Sequence, residues 1–316
     1  MSLLAVTIIL SGVLSAFLVN DVVCVAMTPL VLHLCQRLKR PPIPYLVGLA
    51  TASNVGSVAT ITGNPQNIII GSLSQISYLR FAARLAPVAV IGLALNFIIV
   101  AIVYRKALAE AGHDPLPTGE LVRPRVHRGL LIKSVAVTLV TVGLFFAGQP
   151  IALVALGAAG VLTLGRVRPE KVYESIDWPL LVMFAGLFVV VHAFELNVVH
   201  TWGIEHWRAL LDSPVVLVSG LSVVLSNLVS NVPAVLLFRP LMEVMRQKEL
   251  AWLALAMSST LAGNLTVLGS VANLIVVENA RRAGTELGFL EYLKVGIPLT
   301  VLTTLVGVAW LQFVPY

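Results

Sequence analysis

The chain has 316 residues, of which 58% are hydrophobic and 11% charged, and its mean hydropathy is +0.94. Soluble domains carry about 25% charged residues, which excludes a large soluble enzyme. The net charge of +6 is no nucleic-acid footprint, because the Lys and Arg sit in short loops between apolar runs, where they report membrane orientation.

Met1 has no basic flank, and the first apolar run continues past Asn20 without a cleavage signal, so no removable signal peptide is expected. Residues 2–19 and 22–35 are apolar arms around the polar pair Asn20-Asp21. Each arm is short for a crossing of about 20 residues, which predicts a helical hairpin that turns back within the membrane at residues 19–21. Cys24 and Cys35, in or at the end of this run, read as inert buried thiols and suggest no disulfide framework. Arg37, Lys39 and Arg40 close the segment, and Pro41, Pro42 and Pro44 stop the helix.

Residues 45–70 read as a crossing helix broken at Gly63-Asn64-Pro65, and 81–104 as a conventional span. Residues 105–128, with Pro115, Pro117, Gly119 and Pro124, read as a surface linker. Two apolar runs, 129–147 and 151–164, follow around the turn Gly148-Gln149-Pro150. After the basic loop 166–177, a helix over 178–191 extends toward Leu196 and leads into a polar tail, 195–212, whose Trp202 and Trp207 fit an interfacial belt. Residues 214–229 and 232–245 predict a second hairpin with Ser230-Asn231 at its tip. Residues 250–277 predict a second broken helix, and 292–314 a terminal span bent near Pro298.

These elements repeat. Shifting 51–70 by 206 positions pairs Ser53 with Ser259, Thr60 with Thr266, Gly63 with Gly269 and Asn67 with Asn273. Shifting the first hairpin by 211 pairs Ser15 with Ser226, Asn20 with Asn231 and Pro29 with Pro240. The reading is an all-α polytopic membrane protein, an inverted repeat with two re-entrant helical hairpins and two broken transmembrane helices. Residues 1–104 form the first repeat, 105–128 a cytoplasmic linker, and 129–316 the linking spans and second repeat. A span precedes the second hairpin and none precedes the first, so the chain is expected to lack its first N-terminal span or spans. With the loop after the first hairpin taken as cytoplasmic, 15 Lys and Arg fall on that side and six (80, 84, 208, 239, 246 and 248) on the other. That bias supports an orientation in which the hairpins enter from opposite faces.

Polar, discontinuous backbone at membrane depth is tolerated only where protein or water surrounds it, and its presence in both halves points to a transporter's binding site. Helix ends offer N–H donors to an anion and carbonyls to a cation, and Asn side chains offer both. The candidate substrate- and ion-binding set is Asn20, Asp21, Thr60, Gly63, Asn64, Pro65, Asn67, Ser230, Asn231, Thr266, Gly269, Ser270 and Asn273. Asp21 is positioned to take up a proton or neutralise a coupling cation. The bland alternative for the set is helix–helix packing by small residues. Glu278 near Arg281 and Arg282 reads as an interfacial salt bridge or a gate, and Arg239 as an anion neutraliser or a snorkelling side chain. His192 and His200 are weak candidates, and no cluster has metal-ligand spacing.

The segments SAFLVNDVVCVAMTPLV, ASNVGSVATITGNPQNIIIGS, LSNLVSNVPAVLLFRPLM and GNLTVLGSVANLIVVENAR resemble, in turn, a first re-entrant hairpin, a first unwound helix and their second-half counterparts. In these segments the chain resembles the ion-transporter superfamily of arsenite permeases, sodium/proton antiporters and divalent-anion or citrate symporters (a citrate transporter-like domain). In the divalent-anion branch each tip carries Ser-Asn-Thr. Here the tips read Val19-Asn20-Asp21 and Ser230-Asn231-Val232, so only the Asn residues and the second Ser carry over. Asn20-Asp21 is more similar to the Asn-Asp of arsenite permeases.

The resemblance implies ion-coupled secondary transport of a small inorganic or organic anion, with arsenite/antimonite efflux, sodium/proton antiport and a non-transporting regulatory protein of the same fold as alternatives. It implies no cofactor, sodium or proton as coupling ion, and sodium near Asn20, Asn64 and Asn231. It further implies a multi-pass place in the inner membrane, lipids and an anion or metalloid solute as partners, frequent homodimers and no nucleic acid.

Overall fold

In the computed structural model residues 1–110, 127–164, 176, 178–197 and 214–314 are described, and every regular element among them is helical. The helices are α1 (Ser2–Phe17), α2 (Asn20–Arg37), α3 (Ile43–Ser57), α4 (Pro65–Ser74), α5 (Tyr78–Val103), α6 (Arg105–Glu110), α7 (Arg128–Phe146), α8 (Ile151–Thr163), α9 (Trp178–Asn197), α10 (Pro214–Val229), α11 (Asn231–Val244), α12 (Lys248–Ala262), α13 (Val271–Arg282) and α14 (Phe289–Phe313). His200, Trp202, Trp207 and most of the two charged loops lie outside the described residues.

Among the described residues three helices, α5, α7 and α14, are long and apolar enough to cross a membrane. At 1.5 Å per residue the 26 residues of α5 reach about 39 Å, beyond the roughly 30 Å hydrocarbon layer. The paired helices α1 and α2, with 16 and 18 residues, and α10 and α11, with 16 and 14, fall short of or barely reach that thickness. Only the extended residues Leu18 and Val19 join the first pair, and only Ser230 joins the second.

The connection between the first two helices comes earlier than the sequence suggests. Asn20 and Asp21 form the opening turn of α2 and are not the connection. A carboxylate is stabilised there by the positive end of the helix dipole, and Asn suits a helix start.

The core is built around α3 and α12. Every residue from Pro44 to Ser57 and from Ala251 to Ala262 is buried, as expected of helices enclosed on all sides. Helix α1 packs along α3, and α10 along α12; α5 and α14 pack on each other and flank α3 and α12 respectively. Helix α13 lies against α2, and α4 against α11 and α12. Pro87 in α5 and Pro298 in α14 are a further pair at the hairpin spacing of 211 (298 − 87), beside Pro29 in α2 and Pro240 in α11. Helices α7 and α8, joined at Gly148 (φ 78°), lie outside this core. Phe145 and Phe146 of α7 meet it at Tyr78, with ring centroids 5.5 and 4.9 Å away.

Candidate functional site

Both central helices stop in the interior. Helix α3 ends at Ser57 and resumes as α4 at Pro65, after a 3₁₀ turn over Ile61–Gly63. Helix α12 ends at Ala262 and resumes as α13 at Val271, after a 3₁₀ turn over Val267–Gly269. A broken helix strands carbonyls that water would otherwise satisfy, and burial makes that costly.

Here side-chain amides take over. Asn67 Nδ2 donates to the carbonyls of Ser57 at 3.1 Å and Thr60 at 3.0 Å. Asn273 Nδ2 donates to those of Gly263 at 2.7 Å and Thr266 at 3.1 Å. The partners are again 206 positions apart (263 − 57 and 266 − 60). Asn64 caps α4 by accepting from the Asn67 N–H at 2.8 Å, and Ser270 caps α13 by accepting from that of Ala272 at 3.2 Å. The turns fold back so closely that a Cβ on Gly63 would lie 2.1 Å from the Ser57 carbonyl oxygen, and one on Gly269 2.9 Å from that of Gly263. Glycine is required there by close approach, its φ being unexceptional. Pro65 opens α4 at the position where its missing N–H costs nothing.

The breaks meet in one buried network. Asn54, on the inner face of α3, accepts from Asn20 Nδ2 at 2.9 Å and Ser270 Oγ at 3.0 Å. It donates to Asn264 Oδ1 at 2.9 Å and Asn273 Oδ1 at 3.0 Å. On the other side Asn64 Nδ2 donates to Ser57 Oγ at 2.9 Å and Thr260 Oγ1 at 3.1 Å, and Gln66 reaches Thr260 at 3.4 Å. Thr60 Oγ1 donates to the Ala16 carbonyl near the end of α1. Asn231 is buried, and a Cβ on Gly263 would lie 3.2 Å from both its Nδ2 and Ser270 Cβ. Both helix pairs therefore reach the second break, Asn20 through Asn54 and Asn231 directly.

Of the residues singled out in the sequence, Asn20, Thr60, Gly63, Asn64, Asn67, Asn231, Gly269, Ser270 and Asn273 are buried in or beside this network. Thr266 takes part through its carbonyl, and Pro65 and Asp21 are half-buried at its edge. Ser230 is not brought in: it is exposed, with φ 75° and ψ 159°, a conformation non-glycine residues adopt only at a cost.

Asn54, Ser57, Thr260, Asn264 and Gln66 escaped the sequence reading. Ser57 and Thr260 lie in helical stretches where their only signal was a polar side chain inside a run buried all round. Asn54 and Thr260 are in fact 206 apart, but as unlike residues they gave no match.

The network is electrically neutral. Among the described residues every buried polar side chain is Ser, Thr, Asn, Gln, Tyr or Trp. Charged side chains line two clefts outside the network. Arg239 shares a cleft of about 590 Å³ with Glu243, Lys248 and the Arg80–Glu249 ion pair, 2.6 Å long. Arg40, His33 and Gln36 share another, of about 600 Å³, with Asn279 and Arg282. Glu278 pairs with Arg281 at 2.8 Å and Arg282 at 3.0 Å, an exposed salt bridge along α13. Cys24 Sγ lies 3.1 Å from Ser53 Oγ, and Cys35 is likewise buried.

The profile described as citrate transporter matches residues 1–262. A "46 kDa membrane protein" of Mycobacterium leprae is 32% identical over 95% of this chain and 74% of its own length. The silicon efflux transporter LSI3 of Oryza sativa subsp. japonica is 30% identical over 95% of this chain and 76% of its own. The putative transporter arsB of Dictyostelium discoideum is 27% identical over 95% and 73% respectively. The chain thus belongs to the citrate transporter family, within the superfamily that includes the arsenite permeases, and is a secondary active transporter of a small anion or metalloid.

Proposed function

We propose that the chain carries a small, hydroxyl-rich weak acid, of the arsenite, antimonite or silicate kind, outward across the inner membrane, driven by a sodium or proton gradient. The observation that carries this reading is the neutrality of the buried network. A fully ionised di- or tricarboxylate would need cationic or many convergent N–H partners to offset its desolvation. Arsenous and silicic acids are uncharged near neutral pH and present only hydroxyls, which alternating amides and hydroxyls suit as donors and acceptors. The loss of both Thr residues and one Ser from the Ser-Asn-Thr tips, and the silicon efflux named for one relative, favour the same branch.

In this reading the chain is an inverted repeat. The pairs α1–α2 and α10–α11 are re-entrant hairpins from opposite faces, and α3–α4 and α12–α13 are broken crossing helices. Residues 1–104 form one repeat, 105–128 a cytoplasmic linker, and 129–316 the linking spans and second repeat. Asn20, Asn64, Asn67, Asn231, Ser270 and Asn273, with the backbone at Thr60, Gly63, Thr266 and Gly269, surround solute and coupling ion. Asn20 Oδ1 and Asn231 Oδ1 are buried without a hydrogen-bond donor, and such oxygens suit a sodium ion. Asp21 takes the charge of a coupling cation or a proton.

The test is counterflow in proteoliposomes with arsenite, silicate, phosphate, sulfate and citrate, each with and without sodium and pH gradients. Arsenite or silicate exchange that follows one gradient is expected. Citrate exchange alone would move the chain to the divalent-anion branch, and gradient-independent flux would remove the coupling.

A further inference from the structure

The bonds bridging the two breaks exchange partners in a regular way. Asn64, the cap of α4, donates to Thr260 on α12 at 3.1 Å. Its counterpart Ser270, the cap of α13, donates to Asn54 on α3 at 3.0 Å. Asn54 is itself the counterpart of Thr260 (260 − 54 = 206). The neighbouring positions do the same: Thr260 donates to Asn67 at 3.4 Å, and Asn54 to Asn273 at 3.0 Å. Each residue touches the copy of its partner, as in an isologous contact across a two-fold axis, but within one chain.

The two copies are chemically unequal. A hydroxyl at 260 gathers Asn64, Gln66 and Asn67, all from the first break. The carboxamide at 54 has more sites and fills them, adding Asn264 and Asn20 at the head of α2. Asn20 in turn has one oxygen left without a donor.

We infer that Asn54 and Thr260 are positioning residues for transport. Each locks the break of one repeat to the central helix of the other, and Asn54 extends the lock to Asn20, fixing the carboxamide that the transport reading assigns to solute or ion. The role rests on that reading, whereas the lock itself is a property of the fold.

Purified full-length protein in proteoliposomes, assayed by arsenite counterflow, tests it. Asn54→Ala raises half-saturation about tenfold, the order of the one hydrogen bond among its four that holds Asn20, while the maximal rate changes little. Ser270→Ala does less, and the double variant falls short of the product of the two single effects, because the two residues share one bond while Ser270 also caps α13. Thr260→Ala is impaired, and Thr260→Ser, which keeps the hydroxyl, restores the wild-type value. An unchanged half-saturation in Asn54→Ala, multiplying effects in the double variant, or failure of Thr260→Ser to rescue would overturn the assignment. If the wild type exchanged none of the five solutes, the transport reading would fall with the role. Melting of the same proteins in detergent would then decide the lock, a non-additive 54/270 pair supporting it and an additive pair rejecting it.

Discussion

Asn67 and Asn273 each replace a missing helical turn with one side chain. Their Nδ2 groups are the donors for two buried carbonyls apiece. Asn67→Ala removes the shorter bond to each of Ser57 and Thr60 and leaves them the longer ones, from Asn64 Nδ2 at 3.4 Å and the Gly63 N–H at 3.3 Å; a net hydrogen bond contributes about 0.5–1.5 kcal/mol. A loss of about 1–3 kcal/mol, two net hydrogen bonds, is therefore expected in thermal unfolding in detergent, and Asn273→Ala should lose a similar amount. Asn67→Asp keeps the shape but loses the donor and buries a charge, so it should be no milder. Wild-type melting in all three would mean that the breaks hold without these amides. The asparagines were legible in the sequence because the backbone at each break demands the same residue type, so the copies stayed alike at a spacing of 206. Asn54 was not, because its partners lie in other segments, up to 219 positions away, and its copy is Thr260. Contacts that cross from one repeat to the other can join unlike residues, and no comparison of the repeats with each other finds them.

At the scale of elements, α1 and α3 cross with their backbones nearly touching. A Cβ on Gly56 would sit 2.1 Å from the Gly12 carbonyl oxygen, a backbone atom that cannot swing aside. Gly56→Ala must separate the helices, and overpacking of this kind costs about 1–3 kcal/mol. Because Asn54 lies half a turn away on α3, the same displacement should weaken solute exchange. Gly157 on α8 has nothing within 4 Å, and Ala there should be neutral or stabilising by up to about 1 kcal/mol through helix propensity. Unfolding midpoints of the two variants, measured side by side, check this, and equal midpoints would discount the close crossing. The helices were legible from apolar runs and proline stops. Both breaks came from their Gly, Pro and Asn content, and α7 and α8 from the turn at Gly148. The start of α2 was misjudged by one or two residues because polar side chains mark both a helix start and a loop. The close approach of Gly12 to Gly56 leaves no trace in hydropathy, since a glycine in an apolar helix reads the same whether or not another backbone meets it.

For the molecule as a whole, the two charged clefts are the informative pair. One is walled by the end of α4, the far end of α11 and the start of α12. The other is walled by the end of α13, the far end of α2 and the residues just before α3. These walls are copies of each other in the repeat, so an inverted repeat must open the two clefts on opposite faces of the membrane. In the proposed orientation the cleft at Arg40 faces the cytoplasm and the cleft at Arg239 the outside. Gln36 and Glu243 are exposed residues in the respective walls and suit single-cysteine reporters, with Cys24 and Cys35 first replaced by Ala. In intact cells a membrane-impermeant maleimide should label Glu243→Cys and spare Gln36→Cys, and inside-out vesicles should reverse the pattern. Labelling of both from one face would make the repeat parallel. The hairpins would then enter from the same side, and the two tips could not serve one site from opposite ends of the bilayer.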